Sequence, residues 1–359
     1  MAGYFIGLRI LVCCRSKLYN DPRGYGLVNS GGIMPIAKSV VALFIVILIS
    51  PTFAADDNQH RVKDLKITIL STMMTQIGVG EWGFSALVEA DGHRILFDTG
   101  LRPDTVLQNA RSMRIDLSDV EEIVLSHNHG DHTGGLVSLR QEVSAGNDRA
   151  LHIAHVAPAI FWERPGSSPE WAMAPRKGAY EAAGGSFVEH ERAAEIHPGI
   201  WLTGPVPRRH PEKNYGFWVE GQHRTGQVQS PDGPVEDNIP ESMSMVINTE
   251  KGLVVISGCG HAGLVNTLEY ATEITGTENV HAAIGGFHLL QASDVDLEWT
   301  ASKLVDLEVG NLVGAHCTGL EPVYRLRDLV DLDRSTAVVG ATGASFSLSG
   351  GIEPLSLAR

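Results

Sequence analysis

The segment 126–135 constrains this chain more than any other part of the sequence, because it concentrates side chains that bind metals. From His127 to His132 it offers three imidazoles and one carboxylate, which are ligand types that suit zinc and neighbouring divalent metals. His127 and His129 lie two positions apart in an extended segment, so their side chains point to the same side. The chain then turns towards a helix at Asp131. This density of ligands predicts a metal site just after a short buried strand.

The pattern His-x-His-x-Asp-His resembles the signature of the metallo-β-lactamase superfamily. The resemblance implies an α/β fold, the αββα sandwich of the metallo-β-lactamase type, in which two facing mixed sheets are flanked by helices and the ligands lie along one edge. It also implies one or two divalent metal ions as cofactors, with zinc favoured. It says little about the substrate, because members hydrolyse lactams, lactones, thioesters, phosphodiesters and RNA, and some members are not hydrolases.

The resemblance further implies how the ligands divide between two metals. His127 and His129, with one later histidine, would hold the first metal. Asp131 and His132, with another later histidine, would hold the second, and Asp131 is also a candidate catalytic residue. A water between two cations loses a proton near neutral pH, so the expected nucleophile is a metal-bound hydroxide.

Three histidines follow predicted strands in the second half of the chain: His261, His288 and His316. Loops at strand ends are where α/β folds collect their chemistry. We expect His261 and His316 to complete the two metal sites. His288 is predicted to act as a ligand, a proton donor or a substrate contact, and is counted among the catalytic candidates. For each of these residues the alternative is a hydrogen-bonded structural histidine.

Two further residues are predicted to lie close to the metals. Asp98, at the end of the strand expected at 93–97, resembles the aspartate with which family members orient their ligands; a simple turn former is the alternative. Cys259 stands where most hydrolases of the family carry a bridging aspartate. Either Cys259 replaces that bridge, or the second metal is bound without one. An oxidising compartment would also permit a disulfide between Cys259 and Cys317, and Cys317 could instead be a buried inert thiol.

Other motifs narrow the resemblance. The chain carries Gly-Cys-x-His, Gly-Gly-Phe-His and His-Cys-Thr-Gly after its later strands, and Thr-Gly-Pro-Val-Pro-Arg at 203–208. These motifs resemble the metal-dependent hydrolases of β-lactamase superfamily II, whose archaeal relatives include a 7,8-dihydropterin-6-methyl-4-(β-D-ribofuranosyl)aminobenzene 5′-phosphate synthase. Arg208 is a weak candidate for contact with an anionic substrate group, with a surface arginine as the alternative.

Alternating apolar residues predict the strands around these motifs. Asp91 and Gly92 separate two such runs, 83–90 and 93–97, and therefore predict a hairpin. A second hairpin is expected at 243–256, followed by a helix.

The Pro- and Gly-rich segment 161–209 contains Trp162, Trp171 and Trp201. Long irregular segments in compact domains usually serve function, so we expect it to form walls and a lid over the substrate pocket. The alternative is that these tryptophans fill small surface cores.

The N-terminal residues predict export. The segment 34–54 combines a basic residue, Lys38, about a dozen apolar residues and a small-residue exit at Ala54, which is the pattern of a secretory signal peptide. The apolar run is short for a transmembrane helix, which needs ~20 residues; a buried helix of the fold is the alternative. A start codon assigned too early, with Met34 as the true start, explains residues 1–33 best. A genuine extension is the other explanation.

Residues 55–359 are then predicted to form a single metallo-β-lactamase-like domain in the periplasm or the extracellular medium. The whole chain has 28 basic and 42 acidic residues, and residues 1–54 account for five and one of these, which leaves 23 against 41, a net charge of −18. Such a surface repels phosphate backbones and offers no basic patch to anionic membranes. We therefore expect a small-molecule substrate, no nucleic-acid partner and no membrane association after signal cleavage.

These features predict an exported metal-dependent hydrolase of a small molecule. One alternative is a synthase or transferase of the dihydropterin type that uses the same metal site. A second is a protein that binds a ligand through the metal without turnover.

Overall fold

The computed structural model describes residues 59–166, 172–220 and 222–356, which belong to one compact unit. The predicted upstream extension 1–33, the predicted signal peptide 34–54 and Trp171 lie outside the described residues. No helix within the described residues combines the length and the apolar character needed to cross a bilayer.

Strands and helices of the described residues are numbered in chain order. The strands are β1 (Leu65–Ser71), β2 (Met74–Thr75), β3 (Ser85–Ala90), β4 (His93–Phe97), β5 (Glu122–Val124), β6 (Ile153–Val156), β7 (Ser186–Glu189), β8 (Ala194–His197), β9 (Ile200–Leu202), β10 (Phe217–Val219), β11 (Gln222–Arg224), β12 (Gln227–Ser230), β13 (Gly233–Glu236), β14 (Ser244–Thr249), β15 (Gly252–Ser257), β16 (Val280–Gly285), β17 (Leu312–Gly314), β18 (Ala337–Val339), β19 (Ala341–Thr342), β20 (Ser345–Ser347) and β21 (Gly351–Glu353). The helices are α1 (Thr105–Ser112), α2 (Gly130–Thr133), α3 (Leu136–Ser144), α4 (Met173–Ala182), α5 (Leu264–Thr275), α6 (Asp294–Asp306) and α7 (Leu320–Leu329).

Two large mixed sheets form the centre of the fold. The first has the strand order β21-β20-β1-β3-β4-β5-β6-β7, and the second has the order β18-β17-β16-β15-β14-β9-β8. In the first sheet β4, β5, β6 and β7 run parallel. In the second sheet the parallel strands are β15, β16, β17 and β18. Antiparallel strands complete both sheets.

The core has three apolar layers. Ile67 and Ile69 of β1 face Val254 and Ile256 of β15 in the layer between the sheets. Because side chains alternate along a strand, the outer face of each sheet needs a cover of its own. Helices α1, α3 and α4 cover the first sheet, and α5, α6 and α7 cover the second. The predicted αββα sandwich with two mixed sheets is confirmed.

Both predicted hairpins are confirmed, as β3–β4 and β14–β15. Asp91 and Gly92 have φ angles of 44° and 89°, the left-handed conformation that a two-residue turn of this kind requires. Every residue of β14 and β15 is buried, because one face of the hairpin lies between the sheets and the other lies beneath α5. The predicted helix is α5, which begins at Leu264.

The prediction of irregular walls and a lid at 161–209 is wrong. The segment contains α4 and the strands β7, β8 and β9. β7 and β8 are edge strands of the first and second sheets, and β9 lies next to β8. Tyr180 of α4 is fully buried, and Trp201 of β9 packs against the outer core of the second sheet. The prolines and glycines mark short connections between these elements, and composition alone does not separate such connections from one long loop.

The predicted site residues follow the carboxyl ends of strands. Asp98 follows β4 and the metal motif follows β5, both in the first sheet. In the second sheet Cys259 and His261 follow β15. His288 follows β16, and His316 follows β17. Parallel strands bring their carboxyl ends to one edge, so this topology gathers residues that are far apart in sequence at one edge of the sandwich.

Candidate metal centre

The first cluster consists of His127, His129 and His261. The ring centroids of His127 and His129 are 4.6 Å apart, and the ring of His261 lies 4.7 Å from the first and 4.9 Å from the second. One nitrogen of each buried ring is held in place, because His127 Nδ1 lies 2.9 Å from Ser126 Oγ and His261 Nδ1 lies 2.5 Å from the Asn214 carbonyl. The other nitrogen, Nε2, has no hydrogen-bond partner in either His127 or His261.

The second cluster consists of Asp131, His132 and His316. The two Nε2 atoms of His132 and His316 are 3.3 Å apart, and Asp131 Oδ2 lies 3.2 Å from His316 Nε2 and 3.9 Å from His132 Nε2. Metal–ligand bonds of about 2 Å at tetrahedral angles place neighbouring ligand atoms a little over 3 Å apart. The second cluster therefore has the spacing of ligands that share one ion.

Cys259 lies between the two clusters. Its sulfur is 3.0 Å from His132 Nε2. It lies within 4.8 Å of the ligand atoms of His127 and His261, and equally within that distance of those of His132 and His316. This is the position that a bridging ligand needs, and thiolate sulfur suits zinc. Cys259 is therefore within reach of both clusters, and its replacement of the bridge stays a prediction.

Cys317 lies beside Cys259, and no disulfide joins them in the structure. The two sulfurs are 3.2 Å apart, and both residues are free, buried thiols. Burial opposes ionisation of both groups and raises the pKa of Cys259. At Cys317 the contact with Cys259 and the imidazoles of His316 and His288 outweigh burial and lower the pKa.

Asp98 fixes the orientation of the His132 ring in the second cluster. Its Oδ2 accepts hydrogen bonds from His132 Nδ1 at 2.7 Å and from Ser126 Oγ at 2.8 Å, and its Oδ1 accepts the Ser126 N–H at 2.8 Å. Burial lowers the pKa of His132, but the carboxylates of Asp98 and Asp131 outweigh it and raise that pKa to about 9. Because His132 Nδ1 is bound to Asp98, Nε2 is the atom that faces the second cluster, as expected for an outer residue that orients a ligand.

Three residues at this edge of the fold have a strained backbone conformation. Asp98, His288 and His316 have φ angles of 55°, 48° and 49°. These angles lie in the left-handed region, which residues other than glycine adopt uncommonly. Strain of this kind costs about 1–3 kcal/mol per residue and persists only where surrounding contacts hold the backbone. Here those contacts include the Asp98 hydrogen bonds and the bond from the His316 N–H to Thr72 Oγ1, at 3.1 Å.

Gly258→Ala is expected to disturb the centre, because a Cβ at this position would lie 2.1 Å from Ser126 Oγ and 2.5 Å from Asp98 Oδ2. We expect a loss of stability of about 1–3 kcal/mol and a lower zinc content, measured by thermal unfolding and metal analysis. Gly146→Ala is the matched control, since its Cβ would meet nothing within 4 Å. Equal stability and zinc content in the two variants would contradict this role for Gly258.

Sequence reasoning missed a buried ion pair beneath the motif. Arg164 Nη2 lies 2.7 Å from Glu241 Oε2, and Arg164 Nε lies 2.8 Å from Asp237 Oδ2. Glu241 Oε1 accepts the N–H of Asn128 at 3.2 Å and so supports the turn between the first two motif histidines. Sequence reasoning also missed Trp82, whose ring lies 5.0 Å from that of His316. No spacing in the sequence connects these residues to the motif, so no local signal could have revealed them.

Arg208 is half-buried and bound to backbone carbonyls. Its Nη1 donates to the carbonyl of His261, and its Nη2 donates to those of Asn238 and Ile239. The guanidinium also lies 5.0 Å from the ring centroid of Tyr215. Arg208 therefore braces the loop that carries His261, and its predicted contact with a substrate stays a prediction.

A cleft of about 730 Å³ reaches the centre at His288, a size typical of small-molecule sites. The segments 210–216 and 288–300 form its walls. Tyr215 and Trp299 supply flat aromatic surface, and Lys213 supplies a positive charge. Nδ1 of His288 is buried and has no hydrogen-bond partner.

The donor set fits a divalent metal. A buried polar atom without a partner costs about 1–3 kcal/mol, yet Nε2 of both His127 and His261 is left in that state beside the thiol of Cys259. A cation held by these atoms would remove the penalty. Imidazole, thiolate and carboxylate together are the ligands that zinc takes in proteins.

Comparisons with known proteins match the chain to the metallo-β-lactamase superfamily. The family model described as Metallo-beta-lactamase superfamily matches residues 83–316. A protein of Methanocaldococcus jannaschii named 7,8-dihydropterin-6-methyl-4-(beta-D-ribofuranosyl)-aminobenzene-5'-phosphate synthase is 32% identical over 277 residues, covering 74% of this chain and 91% of the relative. An uncharacterized protein of the same organism is 28% identical over 252 residues, covering 69% and 88%. A solved structure described as a metal-dependent hydrolase of the beta-lactamase superfamily is 28% identical with a TM-score of 0.60, covering 79% of this chain and 98% of that one.

Proposed function

The chain belongs to the metallo-β-lactamase superfamily, and from that premise we propose that it is an exported metal-dependent hydrolase of a small molecule. The observation that carries the proposal is the convergence of the first and second clusters on Cys259, close to His288, which lines a cleft. Membership of the family supports metal-dependent chemistry in general. Three points go beyond family membership and are proposed: that the reaction is hydrolysis, that the metal is zinc, and that the protein is exported.

In this proposal the first cluster would hold one divalent ion and the second cluster would hold another, and Cys259 could contribute to either. Such ions, when bound, polarise a substrate oxygen and promote ionisation of water near neutral pH. The chain itself supplies the orientation of the ligands. Ser126 and the Asn214 carbonyl hold the rings of the first cluster, and Asp98 holds His132.

His288 is proposed to donate a proton to the leaving group. The ring lines the cleft, Nδ1 has no partner in the structure, and the ring centroid lies 4.7 Å from that of His261. A positioned general acid contributes about 10²–10⁴ in rate. The donor would therefore stand at the boundary between the metal ligands and the substrate.

His288→Gln is expected to lower turnover about 100-fold while leaving the zinc content unchanged, because glutamine keeps the size of the side chain but cannot act as an acid. Zinc per chain and the rate constant kcat are measured on the same preparation. Loss of one zinc in this variant would instead assign His288 as a ligand. Unchanged kcat and zinc content would remove it from the site.

A synthase or transferase reaction at the same centre is the second candidate. The observation that favours it is the relative that is 32% identical and is named a synthase. The aromatic walls and Lys213 would suit a flat, anionic substrate in either reaction.

The test combines a substrate panel with isotopic labelling. The purified protein is assayed on lactones, thioesters and phosphodiesters, with and without a chelator, and the product is formed in ¹⁸O-labelled water. A hydrolase places one labelled oxygen in the product, and its turnover is lost with the chelator and restored by zinc. Turnover without label supports the transferase. Ligand binding that depends on zinc, without turnover of any panel member, supports the binding protein.

Export is tested on the protein recovered from cells. Because Lys38, the apolar run and Ala54 form a complete signal, the mature protein is expected in a periplasmic extract with Ala55 at or near its N-terminus, as read by N-terminal sequencing. An intact start at Met1 or Met34 in the cytoplasmic fraction would contradict export.

A further inference from the structure

A second group of histidines, apart from the metal centre, lies on and beside strands of both sheets. This corner cluster consists of His93, Glu122, His155, His190 and His197. Glu122 begins β5, at the opposite end of that strand from the metal motif, and His155 lies on the neighbouring strand β6. His197 ends β8 in the second sheet. The corner cluster thus spans both sheets.

The carboxylate of Glu122 lies between two imidazoles of the corner cluster. Its Oε2 is 2.6 Å from His197 Nε2, and its Oε1 is 3.9 Å from His155 Nε2. On the far side, His155 Nδ1 lies 2.9 Å from His190 Nε2. The ring of His93 stacks on that of His197 with centroids 3.9 Å apart, so the position of His197 is braced from behind.

Nε2 of His155 is the atom that points to a binding site. The residue is 6% exposed, and its Nε2 is buried with no hydrogen-bond partner, although a carboxylate oxygen lies opposite. The bond to His190 allows the tautomer in which His155 Nδ1 donates. In that tautomer the lone pair of Nε2 faces the negative charge of Glu122, which is unfavourable unless a cation lies between them.

The spacing suits a metal ion. Zinc bonds of about 2.0–2.1 Å to nitrogen and oxygen at a tetrahedral angle place the two ligand atoms ~3.4 Å apart. The gap between Glu122 Oε1 and His155 Nε2 is 3.9 Å, so it would need to close by only about 0.5 Å. His197 Nε2 lies 2.6 Å from Glu122 Oε2, a direct hydrogen bond, so it would have to move away by about 0.8 Å to act as a third ligand. Two imidazoles and a carboxylate are a set that borderline divalent transition metals accept.

We propose that Glu122, His155 and His197 form a further binding site for a divalent transition-metal ion of the zinc type, separate from the metal centre. The side chains of Glu122 and His197 are 19% and 22% exposed, so the ion can enter from solvent. A metal held there would join β5 and β6 of the first sheet to β8 of the second. Its role would be structural, because the cleft described above does not reach these residues.

The test counts zinc in the intact protein. Wild type, Glu122→Gln and His155→Gln are equilibrated with buffered Zn²⁺, separated from free metal, and analysed for zinc per chain. We expect each variant to hold one zinc fewer than wild type and to lose part of the rise in Tm that added Zn²⁺ produces. Glu269→Gln is the matched control, since Glu269 also binds one histidine, His210 at 2.8 Å, without a second imidazole opposite.

The control is expected to retain the zinc content of wild type. Equal zinc content in wild type, Glu122→Gln and His155→Gln would overturn the proposal and leave the corner cluster as a hydrogen-bonded ion network.

Anomalous scattering at the zinc edge from wild-type crystals grown with Zn²⁺ is a check that needs no variant. A peak between Glu122 and His155 supports the site, and its absence overturns it. Neither measurement depends on turnover, so failure here leaves the proposed hydrolase untouched.

Discussion

Replacing His127 with alanine is expected to weaken zinc binding in the first cluster and to lower turnover by at least about 100-fold, since loss of a residue that only orients a ligand already costs 10–100-fold. The structure supplies the reason. Ser126 holds Nδ1 of His127, so that Nε2 faces His261 and the sulfur of Cys259. Zinc per chain is measured by metal analysis, and kcat is measured on the same sample.

Asp131→Ala sharpens the same test. Asp131 lies at the start of α2 with 17% of its side chain exposed, so we expect its loss to cost activity more than folding. His152→Ala serves as the control for both variants, because the half-buried side chain of His152 contacts only the carbonyl of Arg149 among the hydrogen bonds of the described residues. If the His127 and Asp131 variants kept the zinc content and turnover of the control, the metal centre would be wrongly assigned.

Cys259 is expected to resist alkylation in the zinc-loaded protein and to react faster once a chelator removes the metal. A cation in contact with the sulfur deprotonates it and occupies its lone pairs. Cys259→Ser should then weaken the metal of the second cluster more than that of the first, because the sulfur lies 3.0 Å from His132 Nε2. Alkylation rates are read by mass spectrometry, and zinc binding is read by titration.

A Cys317→Ala background makes the alkylation result unambiguous, because Cys259 is then the remaining described thiol. In the unmodified chain, reductant alone should not speed alkylation, since the two sulfurs are not bonded in the structure. Acceleration by reductant but not by chelator would show a disulfide instead. Ready alkylation of Cys259 in the fully zinc-loaded protein would exclude Cys259 as a ligand and leave the histidines and Asp131 to bind the metals.

The sequence by itself determined the local parts of this protein. The motif at 126–135, the hairpin turn at Asp91 and Gly92, and the alternating strands each depend on residues only a few positions apart. Backbone preference and side-chain periodicity act over that range, so the strands and their ends could be predicted. Knowing the strand ends also brought His261 and His316 forward as candidates, and the structure places both beside the motif.

Tertiary structure alone decided which of these residues meet. Cys259 lies against His132 across 127 positions of sequence, and Arg164 binds Glu241 across 77. Only the structure showed that β7 and β8, within 161–209, are edge strands of the two sheets. Such contacts depend on strand order, register and the packing of one sheet on the other, and a local pattern carries no information about these. The sequence could therefore name candidate ligands, and only the packed sheets could place a thiol between them.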